Sequence, residues 1–386
     1  MNQAVIIDCV RTPIGRAHPE RGYYRDVRSD DLAVHCVEAL LKRTGIDPAE
    51  IEDVLFGNTQ QTLEQGLNVA RIIGLTSGVA ATAGGTTINR LCGSSLQAVN
   101  QAAHSIIAGG EDIQIVGGLE HMTHVPMDHA LNINPKLYHH TSEAALHMGI
   151  TAEFLAQTQG ISREDQDKFA LASHQKASAA FDSGKFQNEV VPTHGRDEDG
   201  ARKLLTRDQC VREDTSLEAL SALKPVFMPD GGTVTAGNAS PINDGACAML
   251  IMSEASAKRL GLKPMAKVVA TAVAGVDPSV MGTGPIPATK KALKRAGMTI
   301  DQMDLVELNE AFASQSLACI RGLGLDEEKV NVHGGAIAIG HPLGCSGARI
   351  STTLLHAMKD RNAKFGLATM CIGVGQGIAT IFERID

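Results

Sequence analysis

The sequence predicts an α/β protein assembled from two duplicated halves, 1–118 with 241–263 and 264–386, with an inserted loop domain, 119–240, laid over a site. Landmarks repeat at nearly constant spacing. Asn58 and Asn309, each closing an apolar strand, are 251 residues apart; Cys92 and Cys345, each opening a helix-like stretch, 253; Gly117 and Cys371, each ending a strand, 254. Shared order and shared offset point to an internal duplication. Within each half, strands alternate with helical stretches whose apolar residues recur every three or four positions, the α/β pattern. The segment between differs in texture: rich in His, Met, Asn and Pro from His121 to His140, charged from Arg196 to Arg207.

In chain order, Ala4-Val5-Ile6-Ile7 reads as an opening strand. A helix over 30–43 stops at Gly45, and a short loop leads to the strand before Asn58. Helix 94–108 follows Cys92, and the strand Ile113-Gln114-Ile115-Val116 ends at Gly117-Gly118. The insertion holds helices 151–159 and 163–183, then a charged loop, 196–207. The second half repeats the scheme with helix 287–296 stopping at Gly297, a strand before Asn309, helix 346–359 after Cys345, and strand 366–370 ending at Cys371.

At 386 residues, 43% apolar and 20% charged, the chain has the composition of a globular protein and is too long for one ordinary core. A net charge of −8, no Trp and three Tyr argue against a nucleic-acid surface. No apolar run reaches the ~18 residues that a membrane helix needs. Residues 1–11 carry neither a signal-peptide nor a transit-peptide pattern, and 383–386 is no peroxisomal address, so a cytoplasmic location is expected. Eight cysteines without paired short spacing are neither a disulfide framework nor a zinc site, and suit a reducing cytosol.

Three segments can carry chemistry. His341 sits in a glycine-dense run, Gly334 to Gly347, between Gly340 and Pro342. It can trade a proton near neutral pH; a satisfied loop histidine is the rival reading. Cys92 stands where a loop meets a helix start, which lowers a thiol pKa; a buried apolar cysteine is its rival. Cys371 ends a strand and precedes Gly373, Gly375 and Gly377, a weak dinucleotide signal and a better frame for backbone N–H groups aimed at a reacting oxygen. Packing of a terminal strand is the alternative. Asn309-Glu310-Ala311-Phe312 closes a strand where α/β folds place ligand crevices, although Asn309 could equally cap a helix. Cys345, Cys9, Cys36, Cys210, Cys247 and Cys319 read as structural. The histidines from His121 to His147 lack two-ligand helical spacing with a carboxylate, so no metal is expected.

Taken together, Asn89-Arg90-Leu91-Cys92-Gly93-Ser94-Ser95, Asn309-Glu310-Ala311-Phe312, the run from Gly340 to Arg349 and Met370-Cys371-Ile372-Gly373-Val374-Gly375-Gln376-Gly377 resemble four signature blocks of the thiolase superfamily. The likeness runs from Val5 to Arg384 and is greatest to the 3-ketoacyl-CoA thiolases of bacterial fatty-acid oxidation complexes. It implies a thiolase-like five-layered αβαβα fold and thiolytic cleavage of 3-ketoacyl-CoA by CoA, ping-pong through an acyl-Cys92 intermediate. It implies Cys92 as nucleophile and Cys371 as general acid/base. His341 would activate Cys92 and, with a water held by Asn309, form an oxyanion hole for the enolate. The N–H groups of Cys92 and Gly373 would form a second hole. Glu310 would support the Asn309 region, Ala311 and Phe312 would line the pantetheine channel, and Arg212, Ser240, Ala236, His147 and Met148 would contact CoA.

The implied cofactor set is empty, with CoA a substrate. The implied partners are CoA, acyl-CoA, a second copy of the chain in a homodimer or homotetramer paired through the sheet edge of the first half, and a multifunctional hydratase/dehydrogenase subunit. The chemistry is coherent: splitting a β-ketothioester needs a soft nucleophile, a place for enolate charge and a proton donor. His147-Met148-Gly149 and Gly237-Asn238-Ala239-Ser240 look more like short-chain acetoacetyl-CoA thiolases, while the two cysteine blocks look like the complex-bound type. An acetoacetyl-CoA thiolase therefore stands as an alternative. A decarboxylating condensing enzyme is disfavoured, since that family pairs Cys with two His. A non-catalytic acyl-CoA-binding subunit is the alternative of another class.

Overall fold

The computed structural model describes residues 2–385. Its strands are β1 (Ala4–Arg11), β2 (Gly15–Arg16), β3 (Asp53–Gly57), β4 (Thr86–Ile88), β5 (Ile113–His121), β6 (Thr193–Arg196), β7 (Arg202–Leu205), β8 (Asn243–Ser253), β9 (Ala266–Gly275), β10 (Leu305–Leu308), β11 (Phe365–Ile372) and β12 (Gln376–Arg384). Its helices are α1 (Ser29–Thr44), α2 (Val69–Thr76), α3 (Ser94–Ala108), α4 (Met148–Thr158), α5 (Arg163–Asp182), α6 (Leu217–Ser221), α7 (Glu254–Leu260), α8 (Pro285–Ala296), α9 (Ala313–Leu323), α10 (Ala336–Ile339) and α11 (Ser346–Asp360). Both repeat helices end where glycine permits a left-handed cap, Gly45 at φ 65° and Gly297 at φ 66°.

The main sheet runs β10-β11-β12-β9-β1-β8-β5-β3-β4, with β2 also on β8. Outward from the β9/β1 junction, the orders β1-β8-β5-β3 and β9-β12-β11-β10 correspond strand for strand. In each series the first two pairings are antiparallel and the third parallel. The duplication is therefore written in the topology. Among the described residues, the two half-sheets meet through the ladder pairs Val5 with Lys267 and Ile6 with Ala266.

Side-chain alternation along β8 sets the layers. Cys247, Met249 and Ile251 face a central cluster shared with α3 and α11, while Ala246, Ala248, Leu250 and Met252 face α1. On the far side, α8 and α9 cover β10, β11 and β12. Helices, half-sheet, paired helices, half-sheet and helices make five layers. The central pair packs closely: Ala348 N–H donates to Ser95 Oγ at 2.9 Å, and a Cβ on Gly347 would lie 2.4 Å from the Leu96 nitrogen.

Two expected boundaries move. The strand expected to end at Gly117 continues to His121. A Cβ at Gly117 would lie 2.2 Å from the Cys247 carbonyl oxygen, and one at Gly118 2.2 Å from that of Gly344. These glycines permit close backbone approach within a strand. The charged loop 196–207 instead contributes to a hairpin, β6 and β7, turning through Gly200 at φ 93°. Residues 119–240 pack on both halves: α4 and α5 lie against α9, and buried Arg11 of β1 pairs with Glu189 and Asp208. No helix among the described residues is long and apolar enough to cross a membrane.

Candidate active site

Cys92 is delivered by a tight turn ahead of α3. Leu91 holds φ 46°; the Asn89 side chain accepts the Leu91 N–H at 2.9 Å, and Ser94 Oγ accepts the Arg90 N–H at 2.9 Å while donating to the Leu91 carbonyl at 2.6 Å. The result leaves Cys92 half-buried while the other seven cysteines are buried. The Gly373 backbone and its own backbone lie on the side of its sulfur and favour the thiolate. Burial nonetheless pushes the thiol up to about 11, and Glu120 adds to the rise. Burial thus opposes the lowering that a helix start by itself favours, because desolvation outweighs the backbone contribution.

Cys371, near the end of β11, packs with Met281 and Ala311 and against Met148 and Phe312. Its thiol is also raised, first by burial and then by the neighbouring Cys92 sulfur. The turn from β11 to β12 places Val374 at φ 61° and Gly375 at φ 80°. A Cβ on Gly375 would lie 2.3 Å from the Val276 carbonyl oxygen, so glycine is required there. This turn brings Gly373 beside Leu91 and Met148.

His341 follows Gly340, where a φ of 119° and an added Cβ only 2.7 Å from the Asn243 side chain exclude a larger residue. Its backbone N–H donates to Asn243 Oδ1 at 2.8 Å; Nδ1 lies 2.5 Å from Ser346 Oγ and Nε2 3.4 Å from Asn309 Nδ2. Burial, then the Arg349 charge, hold the imidazole down to about 3, so it is neutral. Asn309 does not cap a helix: α9 begins at Ala313 with Phe312 in the cap position. Its Oδ1 makes no hydrogen bond within the protein. The strand end that carries it is braced by Asn331, which exchanges two hydrogen bonds with the Leu308 backbone and donates to Glu310. Glu310 also accepts the Ser173 hydroxyl at 2.6 Å.

Of the expected CoA contacts, four gather here. Ser240 N–H donates to the Ala311 carbonyl at 3.0 Å, Phe312 forms a backbone bridge with Ala239, and Met148 opens α4 against Cys371. His147, Ala236 and Arg212 are exposed on the insertion, and the Arg212 N–H is held by His174 Nδ1 at 3.1 Å. Sequence reasoning missed Asn243, Ser346 and Glu120. Glu120 is buried and accepts from Asn58, Thr59, Gln60, Gln65 and the Gly344 N–H, tying the loop after β3 to the His341 loop. No local pattern signals contacts over such separations; Ser346, five residues after His341, was the readable one.

In the His-rich segment, Glu64, His121 and His124 bring ligand-type atoms within 4.8 Å of one another. The two rings stack at 4.0 Å with 24° between planes. His124 bonds Glu64 and the Arg25 carbonyl, both at 3.0 Å, and His121 bonds the Tyr24 carbonyl and the His124 N–H. This is the geometry of an imidazolium–carboxylate pair.

The N-terminal thiolase domain family model matches residues 4–255, and the C-terminal one residues 262–384. The chain is 55% identical over 388 residues to a 3-ketoacyl-CoA thiolase of Aliivibrio fischeri and 54% identical over 389 residues to one of Photobacterium profundum, covering 100% of both chains in each case. Its fold superposes with TM-score 0.91, at 39% identity, on a Bacillus anthracis acetyl-CoA acetyltransferase and on human mitochondrial 3-ketoacyl-CoA thiolase; each match covers 100% of this chain and 99% of the other. With both halves of the five-layered fold matched in order, the chain belongs to the thiolase family.

Proposed function

We propose that this acyltransferase cleaves 3-ketoacyl-CoA with CoA to acetyl-CoA and a shortened acyl-CoA, a step of fatty-acid β-oxidation. The observation that carries the reading is the pair of adjoining cysteines: half-buried Cys92, beside the turn that carries Gly373, and buried Cys371 next to it. One can attack while the other moves a proton.

In the proposed sequence, Cys92 gives its proton to His341 and its sulfur attacks the keto carbon. The oxygen collects charge near the Cys92 and Gly373 N–H groups. The C2–C3 bond breaks, leaving an acyl group on Cys92, and the acetyl-CoA enolate takes a proton from Cys371. The enolate oxygen lies against His341 and the Asn309 side. Incoming CoA gives its proton to Cys371, its sulfur takes the acyl group from Cys92, and the released Cys92 sulfur takes its proton back from His341. A neutral His341 is ready to accept the first proton, and the high resting pKa of Cys92 keeps the thiol protonated until substrate arrives.

CoA is here a substrate, no separate cofactor takes part, and residues 119–240 cover the site between the halves. His147, Met148, Ala236, Ser240, Arg212, Ala311 and Phe312 contact CoA. The exposed outer edge at β4 pairs with a second copy in a cytoplasmic homodimer or homotetramer, since open edges need protection; light scattering showing an active monomer would overturn the oligomer. A hydratase/dehydrogenase subunit is the further partner. The second reading, a short-chain acetoacetyl-CoA thiolase, draws on the His147-Met148-Gly149 block. Thiolysis rates with acetoacetyl-CoA against a long-chain 3-ketoacyl-CoA separate the two, and absence of turnover with both sinks the enzymatic reading.

A further inference from the structure

Ser346 is fully buried in the first turn of α11, and its hydroxyl touches two groups. Oγ lies 2.8 Å from the Pro342 carbonyl oxygen and 2.5 Å from His341 Nδ1. A serine hydroxyl has one proton to give. Were it given to Nδ1, two oxygens would face each other at 2.8 Å with no hydrogen between them. The proton therefore lies toward Pro342, and Nδ1 must carry its own hydrogen to donate to Oγ. On the opposite ring nitrogen, Asn309 Nδ2, a donor, lies 3.4 Å from Nε2 and fits the same assignment.

We infer that Ser346 is a positioning residue that locks His341 in the Nδ1–H tautomer, so that the Nε2 lone pair faces the reacting groups. The inference rests on the thiolase reading for its catalytic consequence and on geometry alone for the tautomer. A lone pair at Nε2 can take the Cys92 proton; a hydrogen there cannot. After transfer, the imidazolium carries a hydrogen on each nitrogen, one on Ser346 and one toward the substrate oxygen. No atom need reorient between the two steps.

Arg349, one turn further along α11, supports the same arrangement. It is fully buried, its Nη1 is 3.5 Å from Glu307, and its Nε and Nη2 make no hydrogen bond within the protein. A weakly balanced positive charge on that side disfavours a second proton on the resting ring.

The test is a ¹⁵N-edited NMR spectrum of the full-length protein with labelled histidine, His341 being assigned through His341→Asn. The wild type should show hydrogen on Nδ1 and a bare Nε2. Ser346→Ala should move the hydrogen to Nε2 or mix the two forms, slow acyl-enzyme formation from an activated acyl-CoA roughly 10- to 100-fold, the usual effect of losing an orienting partner, and leave KM for CoA little changed. Ser346→Thr, which keeps the hydroxyl, should restore both readouts and covers the case in which the alanine variant does not fold. Hydrogen on Nε2 in the wild type, or an unmoved tautomer in Ser346→Ala, overturns the inference. A correct tautomer in a protein that never acylates Cys92 would instead count against the thiolase reading.

Discussion

Cys92 and Cys345 occupy the same position in the two halves, each at the start of a central helix, yet their surroundings are opposite. Cys345 is fully buried, with its sulfur 3.4 Å from that of Cys247, and the strand beside it carries Gly118, where a Cβ would lie 2.9 Å from the Cys345 Cα. In the other half the small and large residues are exchanged: Ile372 projects from β11 toward Gly93, where a Cβ would meet its Cδ1 at 2.6 Å. One glycine lies on the strand and pulls the helix in; the other lies on the helix, behind a cysteine left half-buried. Duplication supplied two equivalent helix starts, and one exchange of bulk left only one of them with an open thiol.

The largest effect should separate these two cysteines. Cys92→Ala should abolish acyl-enzyme formation and turnover, seen by intact-protein mass spectrometry after incubation with an activated acyl-CoA. Cys345→Ala should keep turnover and lower stability by about 1 kcal/mol, typical of a buried substitution. Loss of acylation in Cys345→Ala with the fold intact would mean that the halves share one site.

Next in size is Cys371→Ala. It should still accept an acyl group at Cys92 but lose C–C cleavage by roughly two to four orders of magnitude, the worth of a general acid/base. An acyl group found on Cys371 in the wild type would reverse the two roles.

Much of this asymmetry is legible in the sequence, and the rest is not, for physical reasons. The repeat is visible because Asn58/Asn309 and Cys92/Cys345 are local landmarks at fixed spacing. The helices after Gly93 and Cys345 follow from periodicity and start where expected. Gly117 and Gly118 misled, since glycine marks a turn and a close approach equally well, and only the neighbouring Cys247 and Gly344 carbonyls decide. The rise of the Cys92 thiol is likewise hidden from the sequence: a helix start favours a thiolate, but burial is a property of the assembled layers. Asn243 and Glu120 act on the His341 loop from about 100 and 220 residues away, beyond any local pattern.

A third measurement sharpens the contrast by pH. With the Cys92 thiol pushed up to about 11, its thiolate fraction rises about tenfold per pH unit throughout the neutral range. Alkylation by iodoacetamide should therefore keep climbing between pH 7 and 9, with peptide mapping placing the label on Cys92. A plateau by pH 7.5 would show a pre-formed thiolate and overturn the assignment of a resting thiol.

The smallest effect concerns the loops that follow Asn58 and Asn309. The second is braced by Glu310 with Ser173 and Asn331. The first is braced by Glu120 and, further along, by Glu64 bonded to His124. The His124 pKa is raised: burial opposes the shift, but the Arg25 carbonyl and Glu64 outweigh it, and Asp244 adds to the rise, while burial lowers that of stacked His121. A folded pKa above the unfolded value of about 6.5 means that the native state binds the proton more tightly. The pair's contribution is thus complete below about pH 6.5 and disappears as pH rises through the folded value. Because both side chains keep some exposure, it should amount to about 0.2–1 kcal/mol. Urea unfolding of the wild type and of His124→Gln should differ most near pH 6 and converge by pH 9. A difference that is constant with pH would make His124 a packing residue only, and the two loops would then be braced alike.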